Sequence, residues 1–279
     1  MAYVGLRKPI IAKLLTEGGY SEPFACGKAI GITVTPSYAE ASLYADDIQA
    51  EYDKEFNYAD VTLNTSTLPI QAHKEMFGHT IGGDSETEIN YNTNDEQNYV
   101  GMGWVSSEKV DGKRKYVGNF LYKTKFSEPT EDYSTKGENI EYKTPSISGR
   151  ALALDNGDWK KADSFETERE ALAYVYKKFG YELGKLTVSS AEGTETGKTT
   201  VTVDPEKEET NTYFYKTAKE VTLPSYNEMC DGTTGWTTWD GSTGITAKTG
   251  DKIVVVEVTT EGHYARRAGE ATVTAKAQE

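Results

Sequence analysis

The sequence predicts a mainly β chain with flanking helices, an α+β protein in which a large strand-rich domain with two helices is followed by a small β-sandwich. Three observations predict it. Val, Thr, Tyr and Ile recur in short runs punctuated by Gly and Asp, the pattern of strands and tight turns. Only two segments carry apolar residues at helical spacing. Threonine divides the chain, with 14 in residues 1–186 and 21 in the shorter span 187–279, which marks a change of domain.

Residues 40–60, EASLYADDIQAEYDKEFNYAD, hold seven acids against one lysine with Tyr44, Tyr52 and Tyr58 interleaved. Such a run is too polar for a core, so a long exposed hairpin or loop is expected. A short helix is expected near Pro69 to Phe77, where Leu68, Ala72 and Met76 lie four apart and Gly78 follows. Residues 82–98, GGDSETEINYNTNDEQN, read as a surface loop.

The segments NYVGMGWVSSEK and RKYVGNFLYKTKFS flank VDGK, where Asp111-Gly112 is a strong hairpin signal. Residues 138–154 read as a further long strand broken near Pro145, and Asn156-Gly157 as a tight turn. The second helix is expected over residues 168–179, where Ala171, Leu172, Val175, Tyr176 and Phe179 share one face. Thr167 and Glu170 have capping-box spacing, and Gly180 supplies a left-handed stop.

Small polar residues from 187 to 200 suit a linker or an entering strand edge, so the boundary is expected near 187–198 and is placed at residue 195. Beyond it, strands are expected at 199–204, 212–218, 220–224, within 244–258 and at 270–277. That texture is that of a small β-sandwich. The unbroken run Ile253 to Val256 suits a central strand.

Composition limits the chemistry. The 279 residues carry a net charge of −14, which disfavours a nucleic-acid binder, and no apolar tract is long enough to span a bilayer. Two cysteines make no disulfide framework. Arg7, Lys8 and Lys13 interrupt any apolar region of roughly 7–15 residues near the start, so no secretory signal is read and synthesis in a reducing cytoplasm is expected.

GTETGKTT imitates a phosphate-binding loop, but only three residues separate Gly193 from Gly197 and a strand follows. Gly101 and Gly103 begin a GxG whose third glycine is missing. His73 and His79 are six apart, the wrong spacing for a zinc-binding helix, and are expected to be solvated or partly packed. The acidic run 84–96 lacks the EF-hand pattern. No nucleophile elbow appears, and neither a catalytic residue, a metal nor a cofactor is assigned. Trp236 and Trp239, near Asp240, could stack on a sugar, while a Trp plugging the sandwich core is the competing and favoured reading.

Taken in order, AYVGLRKPIIAKL, SLYADDIQAEYDKEF with YADVTL, NYVGMGWV, FLYKTKFSEP with TKGENIEY, and NGDWKKADSFETEREAL resemble the major tail protein, or tail tube protein, family of long-tailed bacteriophages. The resemblance covers about the first 185 residues. It implies a tail-tube β-barrel or sandwich that assembles as hexameric rings stacked into a conduit for DNA ejection, within a virion assembled in the host cytoplasm. The remainder resembles the immunoglobulin-like decoration that some of these proteins append. Implied partners are copies of itself and other tail proteins such as the tape measure, distal tail and terminator proteins, with DNA passing unbound and no membrane insertion.

Within the acidic hairpin, Leu43, Tyr44, Asp46, Asp47 and Tyr52 are the expected assembly residues. The first 195 residues carry 31 acids against 21 bases and the rest 13 against 9, so most of the excess charge falls in the expected tube domain. A cell-surface glycan-binding module, with Trp236 and Trp239 as its contacts, is the alternative.

Overall fold

The computed structural model describes residues 2–110, 112–135 and 143–277. The chain is mainly β and divides into two compact units, Met1–Gly180 and Tyr181–Glu279. The division falls before the expected boundary at residue 195. Its reason is that 187–192, expected as a linker or an entering strand edge, is a strand paired into the second unit.

The first unit contains β1 (Ala2–Lys13), β2 (Phe24–Ala25), β3 (Ala29–Ala45), β4 (Ile48–Thr65), α1 (Ile70–Glu75), β5 (Thr80–Gly82) and β6 (Glu88–Asn90). It continues with β7 (Tyr99–Val110), β8 (Lys113–Phe126), β9 (Ser146–Leu152), β10 (Lys160–Phe165) and α2 (Glu168–Lys178). The main sheet runs β2-β1-β7-β8-β9-β4-β3, with β10 also paired to β8. β5 and β6 form a separate ribbon, of which β6 lies inside the expected loop 82–98. Although the two are not hydrogen-bonded neighbours, β3 contacts β1, so the sheet curls back on itself.

The curled face encloses Ile11, Leu63, Met102, Leu121, Phe126 and Ile147, with Ala72, Met76 and Phe77 beside them. Ala59, Val61, Leu63 and Thr65 of β4 are buried at every second position, the period-two pattern of a strand with one face in the core. The expected hairpin of β7 and β8 is present, with Val110 opposite Lys113; Asp111 of its turn lies outside the described residues. So do residues 138–142 of the strand expected over 138–154, whose described part is β9.

α2 forms as its sequence dictates. Thr167 Oγ1 accepts from the Glu170 amide while the Glu170 carboxylate accepts from the Thr167 amide, and the chain leaves at Gly180 with φ +89°. Its buried face lies on glycines: a Cβ on Gly103 would stand 2.4 Å from Val175, and one on Gly118 would stand 2.7 Å from Tyr174. Gly101 admits the Tyr20 ring in the same way, at 2.5 Å. The GxG pair is therefore a packing surface.

The second unit contains β11 (Gly184–Lys185), β12 (Thr187–Glu192), β13 (Lys198–Asp204), β14 (Asn211–Ala218), β15 (Thr237–Trp239), β16 (Ile245–Thr246), β17 (Lys252–Thr259) and β18 (Ala265–Thr272). One sheet runs β11-β18-β17-β14-β15 and the other β12-β13-β16. Leu186, Val201, Tyr213, Trp239, Ile253 and Val255 form one core, whereas Phe214, Cys230, Trp236, Val254, Val256 and Val258 form another. β17 is thus buried on both faces, which is why its apolar run does not alternate.

Two expected strands differ. Residues 220–224 form no strand, and Val221 packs into the second core. The last strand is β18 at Ala265–Thr272, ahead of the expected 270–277, because Gly269 and Ala268 face β17 in register with Val255 and Val256. In GTETGKTT, Gly193 to Gly197 is the turn between β12 and β13 and the rest opens β13; hydrogen bonds from Gly193 N to Lys198 O and from Lys198 N to Glu195 O close the turn. Cys26 and Cys230 are buried and form no disulfide, and burial pushes the Cys26 thiol up to about 12.

Candidate assembly surface

β3 and β4 pair from Ala29–Thr65 to Ala45–Ile48, which makes a hairpin far longer than the neighbours beside it. β9 reaches only Ala59 of β4, and among the described residues β3 pairs with β4 alone. The outer half of the hairpin therefore stands beyond the sheet, with residues 38–55 all exposed or nearly so.

The register assigns two unlike faces. Tyr38 lies opposite Phe56, Glu40 opposite Lys54 and Ser42 opposite Tyr52, with Lys54 Nζ 2.6 Å from Glu40 and 4.4 Å above the Tyr38 ring. The hydrogen bond from Lys54 and its charge hold the Glu40 carboxyl below its ordinary range. At the base of this face Phe56 stacks on Trp159 at 4.8 Å, which anchors the hairpin to the core. On the other face Glu55 lies opposite Ala39, Asp53 opposite Ala41 and Glu51 opposite Leu43. Three carboxylates and no cation occupy that stretch.

At the tip, Leu43, Tyr44 and Ile48 are 58%, 67% and 68% exposed, and Tyr52 is 53% exposed. The structure brings all five expected assembly residues together in this element but divides their work. Asp46 and Asp47 have φ of +52° and +62°, so they are the two central residues of a tight turn with both backbones left-handed. Asp tolerates that conformation because its short carboxylate can bond locally. Their first role is to turn the chain. Ile48, which sequence reasoning passed over, is the most exposed apolar side chain of the tip; its place directly after Asp-Asp was the signal available.

Trp236 and Trp239, for which core packing was favoured over contact with a sugar, are both buried. Trp239 is buried in one core with Nε1 donating to Thr243 O at 2.8 Å, and Trp236 is buried in the other. Neither indole face is open to a sugar, because each ring fills a core of the second unit. Asp240 accepts from the Thr243 hydroxyl and from the amides of Thr243 and Ser242, which hold its carboxyl far below the carboxylate range.

Of the two histidines expected to be solvated or partly packed, His73 is partly packed and His79 departs from the expectation. His79 is buried, its Nδ1 lies 3.3 Å from Nδ1 of His73, and its Nε2 lies 3.1 Å from Glu128 Oε1. Tyr91 covers the pair, with its ring centroid 4.4 Å from that of His79. Among the described residues no group of three or more His, Cys, Asp or Glu is placed to hold a metal, and no helix is long and apolar enough to cross a membrane.

The family of the S-layer protein SbsC C-terminal domain matches residues 191–275, which lie within the second unit. No curated protein matches the chain.

Proposed function

We propose that this chain is a structural subunit that assembles with copies of itself into a phage tail tube, of the kind the first 185 residues resemble, and that its second unit is displayed outside as decoration. The observation that carries this reading is the exposed apolar tip of the β3–β4 hairpin. Leu43, Tyr44 and Ile48 gain nothing from water, and burying an aliphatic side chain of that size against a partner is worth about 1.5–3 kcal/mol.

Two further features support it. β3 is a 17-residue strand at the end of its sheet, and closing a ring of subunits is one way to cover such an edge. The cation-free face with Glu51, Asp53 and Glu55 has the sign that repels phosphate, which suits a conduit through which DNA slides. Stacked hexameric rings, the other tail proteins as partners and a place in the virion follow from the same resemblance.

A second reading, a cell-surface component, is favoured by the S-layer match of residues 191–275. If such a component holds glycan, it does so elsewhere than at Trp236 and Trp239. Negative-stain micrographs of the concentrated chain separate the readings. Tubes or stacked rings, lost on Leu43→Ser with Ile48→Ser, are expected for the tail tube, and flat layers for the surface component. A chain that stays monomeric at every concentration, with or without the tip substitutions, counts against self-assembly.

A further inference from the structure

The His73–His79 pair has a hydrogen inventory that can be worked out from its partners. Glu128 as a carboxylate only accepts, so Nε2 of His79 donates to it. A neutral imidazole carries one N–H, so Nδ1 of His79 is then an acceptor, and His73 Nδ1–H supplies the hydrogen between the rings. The chain of bonds runs from His73 on α1, through His79, to Glu128 in the segment that follows β8.

One added proton is compatible with that chain, because a single hydrogen still lies between the two Nδ1 atoms. A second is not. It would set N–H against N–H across 3.3 Å and place two like charges side by side in a site where His79 is 3% exposed. We propose that His73 and His79 form a proton-operated catch that fastens the segment from Glu128 to Tyr133 onto α1 and the β5–β6 ribbon, closed until the pair takes its second proton.

The surroundings fit a catch. The groups facing the pair are Glu128 and Glu131 from the segment after β8 and Tyr91 from the segment after β6; Asp132 and Lys143, paired at 3.2 Å, line a cavity on His73, and the Tyr133 hydroxyl donates to Glu131. A cavity of about 290 Å³ lined by His73, Phe77, His79, Tyr91, Glu128 and Glu131 gives protons a route. Burial, and then the neighbouring His79, hold the His73 imidazole below the ordinary histidine range against the opposing pull of Glu131 and Glu128. An imidazole depressed by folding binds fewer protons folded than unfolded. The closed arrangement is therefore secure above the ordinary histidine range and weakens as pH falls below it.

The experiment follows the histidine ring resonances, and the proximity of His79 to the Glu128 side chain, by NMR of the full chain from about pH 8 to about pH 4.5. The expected result is that the two rings take up protons in separate steps at least about tenfold apart in proton concentration, and that the His79–Glu128 hydrogen bond breaks in the second. His73→Gln, whose amide N–H can donate to His79 without charging, keeps that bond across the range. Rings that titrate independently while the bond persists overturn the proposal. So does a bond that breaks in His73→Gln at the same pH as in the unsubstituted chain, since acid would then be acting on Glu128 instead.

Discussion

A single methyl group decides the packing of α2. Gly103→Ala would drive a Cβ to 2.4 Å from Val175 Cγ1, in a strand hydrogen-bonded on both sides, so neither partner can retreat cheaply. The expected loss is about 1–3 kcal/mol in urea unfolding of the full chain. Gly157→Ala is the comparison: it has open space around it but a φ of +85°, and is expected to cost about 1 kcal/mol through the backbone alone. Equal costs would sink the packing account of the glycine pair. Glu257 is the other residue with a steep expectation. Its buried carboxylate accepts from Arg267, from Asn211 Nδ2 at 2.8 Å and from the Glu208 amide at 2.9 Å. Burial pushes the carboxyl up, but these donors outweigh it and leave its pKa below the ordinary glutamate value. A depressed carboxylate stabilises the fold above that ordinary value, and the contribution is lost as pH falls through the depressed one. Glu257→Gln leaves Arg267 without its counter-charge and should cost about 3 kcal/mol near neutral pH, with a gap that narrows on acidification. A cost independent of pH would mean that the charge contributes nothing.

The β3–β4 hairpin separates what a sequence shows about an element from what it hides. Its existence was legible because acids and tyrosines replaced core residues over twenty positions, and α2 was legible because its cap, its apolar face and its stop all agreed. The turn was not. Asp-Asp is a weaker turn signal than Asn-Gly, so Asp46 and Asp47 read as contact residues and their place as the bend of the hairpin was missed. That changes the experiment. Replacing both by Ala removes charge and also strains two left-handed positions, so failure to assemble would not identify the cause. Asp46→Asn with Asp47→Gly removes the same charges and suits the turn, and assembly is expected to survive it. Leu43→Ser with Ile48→Ser leaves the turn alone and is expected to abolish assembly while circular dichroism and the melting transition of the monomer stay unchanged. If the Asn-Gly chain fails to assemble and the Ser-Ser chain succeeds, the contact is electrostatic and the apolar tip is irrelevant.

At the scale of the whole molecule, the place where the chain divides determines which fragments can stand alone. Polar composition put the boundary at residue 195, because Thr187 to Glu192 has little to bury. Composition missed the backbone: Thr187–Asp204 through Glu192–Thr199 is a continuous antiparallel ladder, and a ladder can be held by hydrogen bonds from residues with small side chains. Just before it Leu186 is 2% exposed in the core with Val201, Trp239 and Ile253, and its amide donates to Ala268 O at 2.9 Å. A fragment that begins at residue 196 therefore loses β11, β12 and Leu186, which opens the core and strips one side of β13. A fragment that begins at Tyr181 keeps all of them. The 181–279 fragment is expected to unfold in one cooperative transition and the 196–279 fragment to show no dispersed amide spectrum. The complementary fragment 1–180 is expected to assemble as the full chain does if the second unit is decoration. A folded 196–279 fragment would return the boundary to the place composition suggested, and a 1–180 fragment that folds but forms no rings would make the second unit part of the assembly.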